Sequence, residues 1–286
     1  MNENKTNINW YPGHMAKTKR EIQEKIGLID IVFEVIDARI PYSSKNKDVD
    51  GLIGNKPRIL IMTKYDLCDE IITNKWKKYY ENKGYKVVLL DLLHQNNLNC
   101  LYDMIRDDVK VLNDKRTSKG LKPRKVRVLI LGIPNVGKST LINRLVKKKA
   151  TNVGNRPGVT KSLEWIRIND SLELLDTPGI LWPKLDNREV ALNLASMTAI
   201  KEEILNKEEV VIYILEKMLK EYKDNIVHRY HLSNETDIVD ILDSIGKHIG
   251  AVKNDETNYD KVYDVVLKDL RDGVLGKVTF DKYEDR

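Results

Sequence analysis

Gly132-Ile-Pro-Asn-Val-Gly137-Lys138-Ser139 matches the spacing G-x-x-x-x-G-K-[ST], whose chemistry is the holding of a phosphate chain. Glycines let successive backbone N–H groups turn toward one anion, and a helix starting there adds the positive end of its dipole. The candidate contacts are Asn135, Val136, Gly137, Lys138, Ser139 and Thr140. The Lys138 ammonium reaches β- and γ-phosphates, which makes it a catalytic as well as a binding candidate. The Ser139 hydroxyl is a hard oxygen ligand suited to Mg²⁺. Asp176-Thr177-Pro178-Gly179 then offers a carboxylate able to hold the metal and an N–H, on Gly179, able to meet a γ-phosphate. Between the two lies Arg156-Pro157-Gly158-Val159-Thr160. The Thr160 hydroxyl could close onto the metal while a γ-phosphate is present and let go when it leaves. Each shorter word is weak alone; their order and spacing behind the phosphate loop is specific.

Phosphate chemistry does not choose a base. Thr63-Lys64-Tyr65-Asp66 could do so. A carboxylate at Asp66 can accept from guanine's ring N–H and exocyclic amine, a donor pair that adenine lacks. A buried acceptor left unpaired would reject the wrong base. Lys64 could lay its alkyl stem along the base plane. The same Asp66, just ahead of Leu67, would also suit a helix N-cap. For hydrolysis, the residue after Gly179 is Ile180, which cannot orient water by hydrogen bonding. His14, in a Pro-Gly-His turn before the first helix, is the alternative, because a neutral imidazole can. Its other reading is a helix-entry or RNA-facing residue.

These residues need a frame. Apolar, β-branched runs at 30–36, 58–62, 86–90, 126–131, 164–168 and 172–175 read as strands. Most are continuous rather than alternating, as expected of a parallel sheet buried on both faces. Helical periodicity fills 17–26, 73–83, 98–112 and 138–147 between them, which predicts a doubly wound α/β domain. Each motif then sits at the carboxyl end of a strand. After Trp182-Pro183 helix follows helix, at 189–201, 207–222, 236–249 and 259–271, with one candidate strand at 277–280. The expected organisation is an α/β P-loop NTPase domain over 1–186 and a smaller all-α C-terminal domain over 187–286. His228-Arg229-Tyr230-His231 reads as a loop or a small basic patch.

With 286 residues, 41% hydrophobic and 32% charged, the chain has apolar content for one large core and one small one. No run of apolar residues reaches a membrane span of about 18. Met1 to Asn9 is polar and lacks the pattern of a secretory or transit peptide, so a short loose leader on a cytoplasmic protein is expected. Cys68 and Cys100 have no metal-ligand spacing. A formal charge of +6 tolerates an anionic partner without demanding one. From Asp114 to Arg127, however, seven basic residues face one acid, and Arg144 with Lys147, Lys148 and Lys149 adds a second cluster. This connector suits a folded RNA backbone, or is simply a charged, solvated linker.

The order of these words carries a resemblance. In ordinary small GTPases the [N/T]-K-x-D element follows D-x-x-G; here Thr63–Asp66 precedes the phosphate loop, as in the circularly permuted GTPases. Trp10-Tyr-Pro-Gly-His14-Met15-Ala16-Lys17, Val35-Ile-Asp37-Ala-Arg39-Ile-Pro41, Lys56-Pro57-Arg58, Lys122-Pro123-Arg124 and Leu174-Leu-Asp-Thr-Pro-Gly-Ile-Leu-Trp-Pro183 resemble the bacterial ribosome biogenesis GTPase A family. The resemblance implies a cytoplasmic, monomeric GTPase that binds GTP and GDP with Mg²⁺. It implies assistance to late assembly of the large ribosomal subunit through rRNA, without DNA or membrane. It also points to His14 as the water-orienting residue, and Asn135 raises K⁺ as a further cation beside the phosphates. Two departures stand out. Thr63 replaces the commoner Asn that ties the base loop to the phosphate loop, and Asp91-Leu92-Leu93 lacks the expected Ser behind the base. The competing readings are a signalling switch with protein partners only, and a P-loop ATPase or small-molecule kinase.

Overall fold

The computed structural model describes residues 5–9, 13–94, 98–146, 163–179, 184–200, 205–233, 235 and 237–283. The strands are β1 (Lys5–Asn9), β2 (Ile31–Asp37), β3 (Arg58–Thr63), β4 (Lys86–Leu90), β5 (Val126–Leu131), β6 (Glu164–Arg167), β7 (Leu172–Asp176) and β8 (Lys184–Asn187). A six-stranded sheet runs in the order β4-β3-β2-β5-β7-β6. The first five in that order pair parallel, with Val35 opposite Ile61 and Phe33 opposite Ile130. Every residue of β2 is buried, the charged Glu34 included, which explains its otherwise apolar run up to Asp37 and marks it as the centre of the sheet.

Helices α1 (Gly13–Lys25) and α3 (Glu70–Asn82) cover one face of the sheet. Ile22 packs there with Val32 and Leu129, and Trp76 with Leu60 and Met62. On the other face, α4 (Asn99–Thr117) and α5 (Lys138–Val146) bury Leu101, Ile105, Leu141 and Ile142 against Ile61, Val128 and Ile130. The short α2 (Val49–Ile53) leads into β3.

Three expectations change here. Strand β6 pairs antiparallel with β7 and forms the exposed edge of the sheet. Its connection is a tight turn in which Asn169 Oδ1 accepts from Ser171 N and Leu172 N, far too short for a parallel crossover. The leader is not loose throughout, since Lys5–Asn9 pairs antiparallel with Lys184–Asn187. The basic connector is shorter than expected, because α4 continues to Thr117. Arg124 and Arg127 are also engaged, Arg124 through two bonds to Asp30 at 2.7 and 2.8 Å and Arg127 with Glu173 at 2.6 Å. Lys115, Lys119 and Lys122 remain exposed.

The tail holds α6 (Arg188–Ser196), α7 (Lys207–Glu221), α8 (Lys223–Tyr230), α9 (Ile238–His248) and α10 (Tyr259–Arg271). Side-chain caps from Asn187, Asn206, Asp237 and Asn258 start four of them. A two-residue hairpin of β9 (Val252–Lys253) and β10 (Glu256–Thr257) makes the tail not purely helical. Residues 228–230 end a helix rather than a loop, and Arg229 is taken up by Asp269 at 2.7 Å. Residues 277–280 form no strand. They run as an extended strap whose N–H groups bond two separate segments, Val278 N to Leu67 O and Phe280 N to Arg39 O. One apolar cluster runs from the sheet through Val190, Ile214 and Met218 to Phe280. Among the described residues no helix is long and apolar enough to cross a membrane.

Candidate functional site

In a parallel sheet every strand's carboxyl end points the same way, and the loops after β2, β3, β5 and β7 therefore meet along one edge. The chain leaves β2 toward β3 on one side, and β5 later returns to its other side, which is where such sheets open a crevice. Lys138 opens α5, so the phosphate-loop motif lies between strand and helix as its chemistry needs.

Lys138 is buried, and its Nζ donates to the carbonyls of Gly132 at 3.0 Å and Ile133 at 2.8 Å. The ammonium is thus folded over its own loop. Burial pulls its pKa down to about 8, against the nearby Asp176 carboxylate, which favours the charged form. Asp176 is itself 1% exposed at the end of β7, and the Thr177 hydroxyl beside it donates to Ile130 O at 2.8 Å. Gly179 lies against the loop so closely that a methyl group there would come within 2.6 Å of Pro134 N. No other residue type allows that approach. Asn135, in the left-handed conformation, donates its side-chain amide to Thr198 O of the tail at 2.7 Å. Ser139 and Thr140 sit half-buried in the first turn of α5, and the buried Val136 and half-buried Gly137 precede them.

At the other end of the crevice, Thr63 closes β3 with its hydroxyl 2.5 Å from Val136 O and 3.1 Å from Ile36 O. The Thr63 hydroxyl therefore ties the loop after β3 to the phosphate-loop motif. Lys64 is left-handed, and its Nζ bonds Asp37 Oδ2 at 2.8 Å. Asp37 accepts three further bonds from Arg39, from its backbone N and Nε to Oδ1 at 3.0 Å each and from Nη2 to Oδ2 at 2.9 Å. Burial opposes the charge on Asp37, but Arg39 and Lys64 outweigh it and hold the carboxyl well below the usual carboxylate range. The same burial lowers the pKa of Lys64, while Asp37 works the other way.

Asp66 lies in the short 3₁₀ turn Tyr65–Leu67 and is not a helix cap, since Asp69 caps α3 by accepting from Ile71 N and Ile72 N. Its carboxylate stands with Asp91 and His94, one ligand atom of each lying within 4.8 Å of the others. Burial raises the Asp66 pKa, with the Asp91 charge adding to the rise. The loop after β4, where the expected serine is missing, still backs this spot. Asp91 Oδ1 accepts from Leu93 N and His94 N at 2.8 Å each, and a methyl group on Gly137 would touch Leu92 Cδ1 at 3.4 Å.

Sequence reasoning gave no role to Asp37, Arg39, Asp91 or Leu92. Asp37 and Arg39 entered only as letters of the Val35-Ile-Asp37-Ala-Arg39-Ile-Pro41 stretch that carries the family resemblance. His14 falls in the first turn of α1, but its side chain lies outside the described residues, as do Thr160 and Ile180 entirely. The arrangement offers a buried cation and hard oxygen donors at one end, and at the other the Asp66 carboxylate near a lysine whose ammonium Asp37 holds. A nucleotide is the molecule with matching ends.

A family model described as a 50S ribosome-binding GTPase matches residues 127–254. "Ribosome biogenesis GTPase A" of Bacillus cereus is 44% identical over 280 residues, covering 97% of this chain and 95% of that protein. The protein of the same name in Thermotoga maritima is 29% identical over 279 residues, covering 97% and 95%. Among solved structures, a GDP-bound structure of TM YlqF matches with a TM-score of 0.68 at 24% identity, covering 93% of this chain and 100% of that one. GNP-bound YlqF from T. maritima matches with a TM-score of 0.63, also at 24% identity, covering 93% and 98%.

Proposed function

The chain belongs to the ribosome biogenesis GTPase A family, and from that premise we propose that its GTPase cycle serves late assembly of the large ribosomal subunit. Residues 1–186 hold and hydrolyse the nucleotide. Residues 187–286 face rRNA or the ribosomal particle, in the cytoplasm and as a monomer. The observation that carries the nucleotide reading is the 2.5 Å contact between the Thr63 hydroxyl and Val136 O, which joins the base end and the phosphate end of one crevice.

In this reading, Asp66 accepts the two guanine donors, and the raised proton affinity of its partly buried carboxylate falls once they bind. Lys64 cannot swing away from the base plane, because Asp37 holds its ammonium at 2.8 Å. The backbone of 135–140 cradles the phosphates. Lys138 exchanges its two carbonyl partners for β- and γ-phosphate oxygens and stabilises the charge that develops between them. Ser139 and Asp176 fit Mg²⁺, since a hydroxyl and a buried carboxylate are the hard oxygen donors that ion prefers. When bound, the ion would neutralise charge on the bridging phosphate oxygens. Thr160 joins that set when a γ-phosphate is present, Gly179 N–H meets the γ-phosphate, and His14 orients the attacking water in place of the aliphatic Ile180. If the Asn135 amide N–H₂ keeps its bond to Thr198, the amide oxygen is the atom that would take K⁺. The exposed Lys115, Lys119 and Lys122 offer phosphate contacts to RNA.

GTP turnover measured with and without purified large subunits, in K⁺ and in Na⁺ buffers, tests the proposal. Acceleration by subunits, greater in K⁺, is expected. An unchanged rate with subunits in both salts would instead favour a switch acting on protein partners, and equal rates in the two salts would remove K⁺.

A further inference from the structure

The end of the tail reaches back to the loop that carries Asp66. Gly273, two residues beyond α10, is left-handed with φ +76°, and a methyl group on it would lie 2.7 Å from Leu67 Cδ2. Leu67 is the residue next to Asp66 and closes the same 3₁₀ turn. Its carbonyl accepts from Val278 N at 3.1 Å. At the next residue of the strap, Thr279 Oγ1 accepts from Asp69 N at 3.1 Å and pairs with the Thr73 hydroxyl at 2.9 Å. Tyr222 donates to Thr279 O at 3.2 Å. The strap therefore grips the base-reading loop on its downstream side.

It also grips the neighbouring loop. Phe280 N donates to Arg39 O at 2.8 Å, and Arg39 Nη1 donates to Arg271 O at 3.4 Å. Arg39 is the residue that holds Asp37, which in turn holds Lys64. Beyond it, Asp281 accepts from Tyr42 N at 2.8 Å and Ser43 N at 2.7 Å, and its carbonyl accepts from Trp76 Nε1 at 2.9 Å. Both side chains offered to the base, Asp66 and Lys64, thus hang from loops whose backs are bonded to residues 271–281.

We infer that the C-terminal strap, from Gly273 to Asp281, is a positioning element of the guanine site, acting through Leu67 on Asp66 and through Arg39 on Lys64. It rests on the reading of Asp66 as the base acceptor. Nucleotide and tail are then coupled in both directions. A partner that lifts the strap speeds nucleotide release, and a bound nucleotide tightens the strap by the same free energy.

The test compares two glycines with the same backbone penalty. Gly250, in the tail but outside the strap, is left-handed with φ +67°, and a methyl group there would meet nothing within 4 Å. Dissociation of a fluorescent GDP analogue is timed from the full chain carrying Gly273→Ala or Gly250→Ala. Couplings between contacting residues predict release about fivefold faster for Gly273→Ala, with Gly250→Ala within about twofold of the parent. Equal rates for the two variants overturn the inference. Should Gly273→Ala not fold, Thr279→Val takes its place: faster release that Thr279→Ser restores supports the strap, and unchanged release refutes it. In the same assay Asp66→Ala must abolish the preference for GDP over ADP. If that preference survives, the base reading itself fails and the strap inference with it; if only the Gly273 result fails, the base reading stands. Amide exchange supplies a second readout: Val278 and Phe280 N–H should exchange more slowly with GDP bound, and no change would count against the coupling.

Discussion

Thr63 is the position where this chain departs from the commoner asparagine, and Thr63→Val isolates what its hydroxyl does. Valine keeps the β-branched shape and the strand preference of a residue with no exposed surface. It removes the donor facing Val136 O at 2.5 Å and Ile36 O at 3.1 Å. A buried acceptor deprived of its donor costs about 1–3 kcal/mol. In a chain of this size each kcal/mol lowers Tm by about 2–4 °C, so a drop of several degrees is expected. The informative quantity is GDP affinity. If the tie presets the distance between base loop and phosphate loop, part of that free energy is withdrawn from binding, and Kd rises about three- to tenfold. Thr63→Ser keeps the hydroxyl and should stay near the parent. Calorimetric titration of GDP and thermal unfolding of the free protein separate the two effects. A Thr63→Val protein whose Tm falls while its GDP affinity stays unchanged would refute the claim that this bond presets the site.

Two further outcomes follow from the phosphate end. The free-protein pKa of Lys138 lies at about 8, lowered by burial, whereas bound phosphate favours its charged form and raises it. Binding above that pH must take up a proton, so GDP affinity should be nearly flat below about pH 7 and about halved by pH 8. It should then weaken as pH rises toward 9, approaching tenfold per unit, while Lys138→Ala shows no such bend; a flat parent curve would contradict the buried, depressed lysine. Gly179→Ala places a methyl group 2.6 Å from Pro134 N and 2.7 Å from Pro134 Cα, backbone atoms that cannot swing aside. GTP turnover should fall about tenfold or more with GDP affinity changed far less, read as kcat against Kd, since GDP has no γ-phosphate to meet; parallel losses would place Gly179 in general packing instead.

The parts of this molecule legible in the sequence are those encoded locally. The largely apolar runs ending at Asp37, Thr63 and Leu131, broken inside only by Glu34 and Arg127, give buried parallel strands, because a strand covered on both faces has no regular polar alternation. The glycines and Lys138 give the phosphate loop for the same local reason. What stays hidden depends on partners distant in the chain. The role of Arg39 depends on Phe280, 241 positions later, and no periodicity records it. Nor does a polar leader announce that Lys5–Asn9 will find Lys184–Asn187. Antiparallel β6 was masked because Glu164–Arg167 is an edge strand with mixed exposure, where burial does not dictate direction.

Permutation becomes intelligible in the same terms. Strand neighbours are selected by buried side chains and backbone pairing rather than by chain order, so β2 lies between β3 and β5 whichever half is made first. In an unpermuted order the chain would run directly from β7 to β2. Here the segment after β7 and the segment before α1 instead meet as the β1–β8 ladder, with Ile8 opposite Leu185. Backbone hydrogen bonds thus occupy the place of a covalent connection. Such a ladder can open locally where a peptide bond cannot.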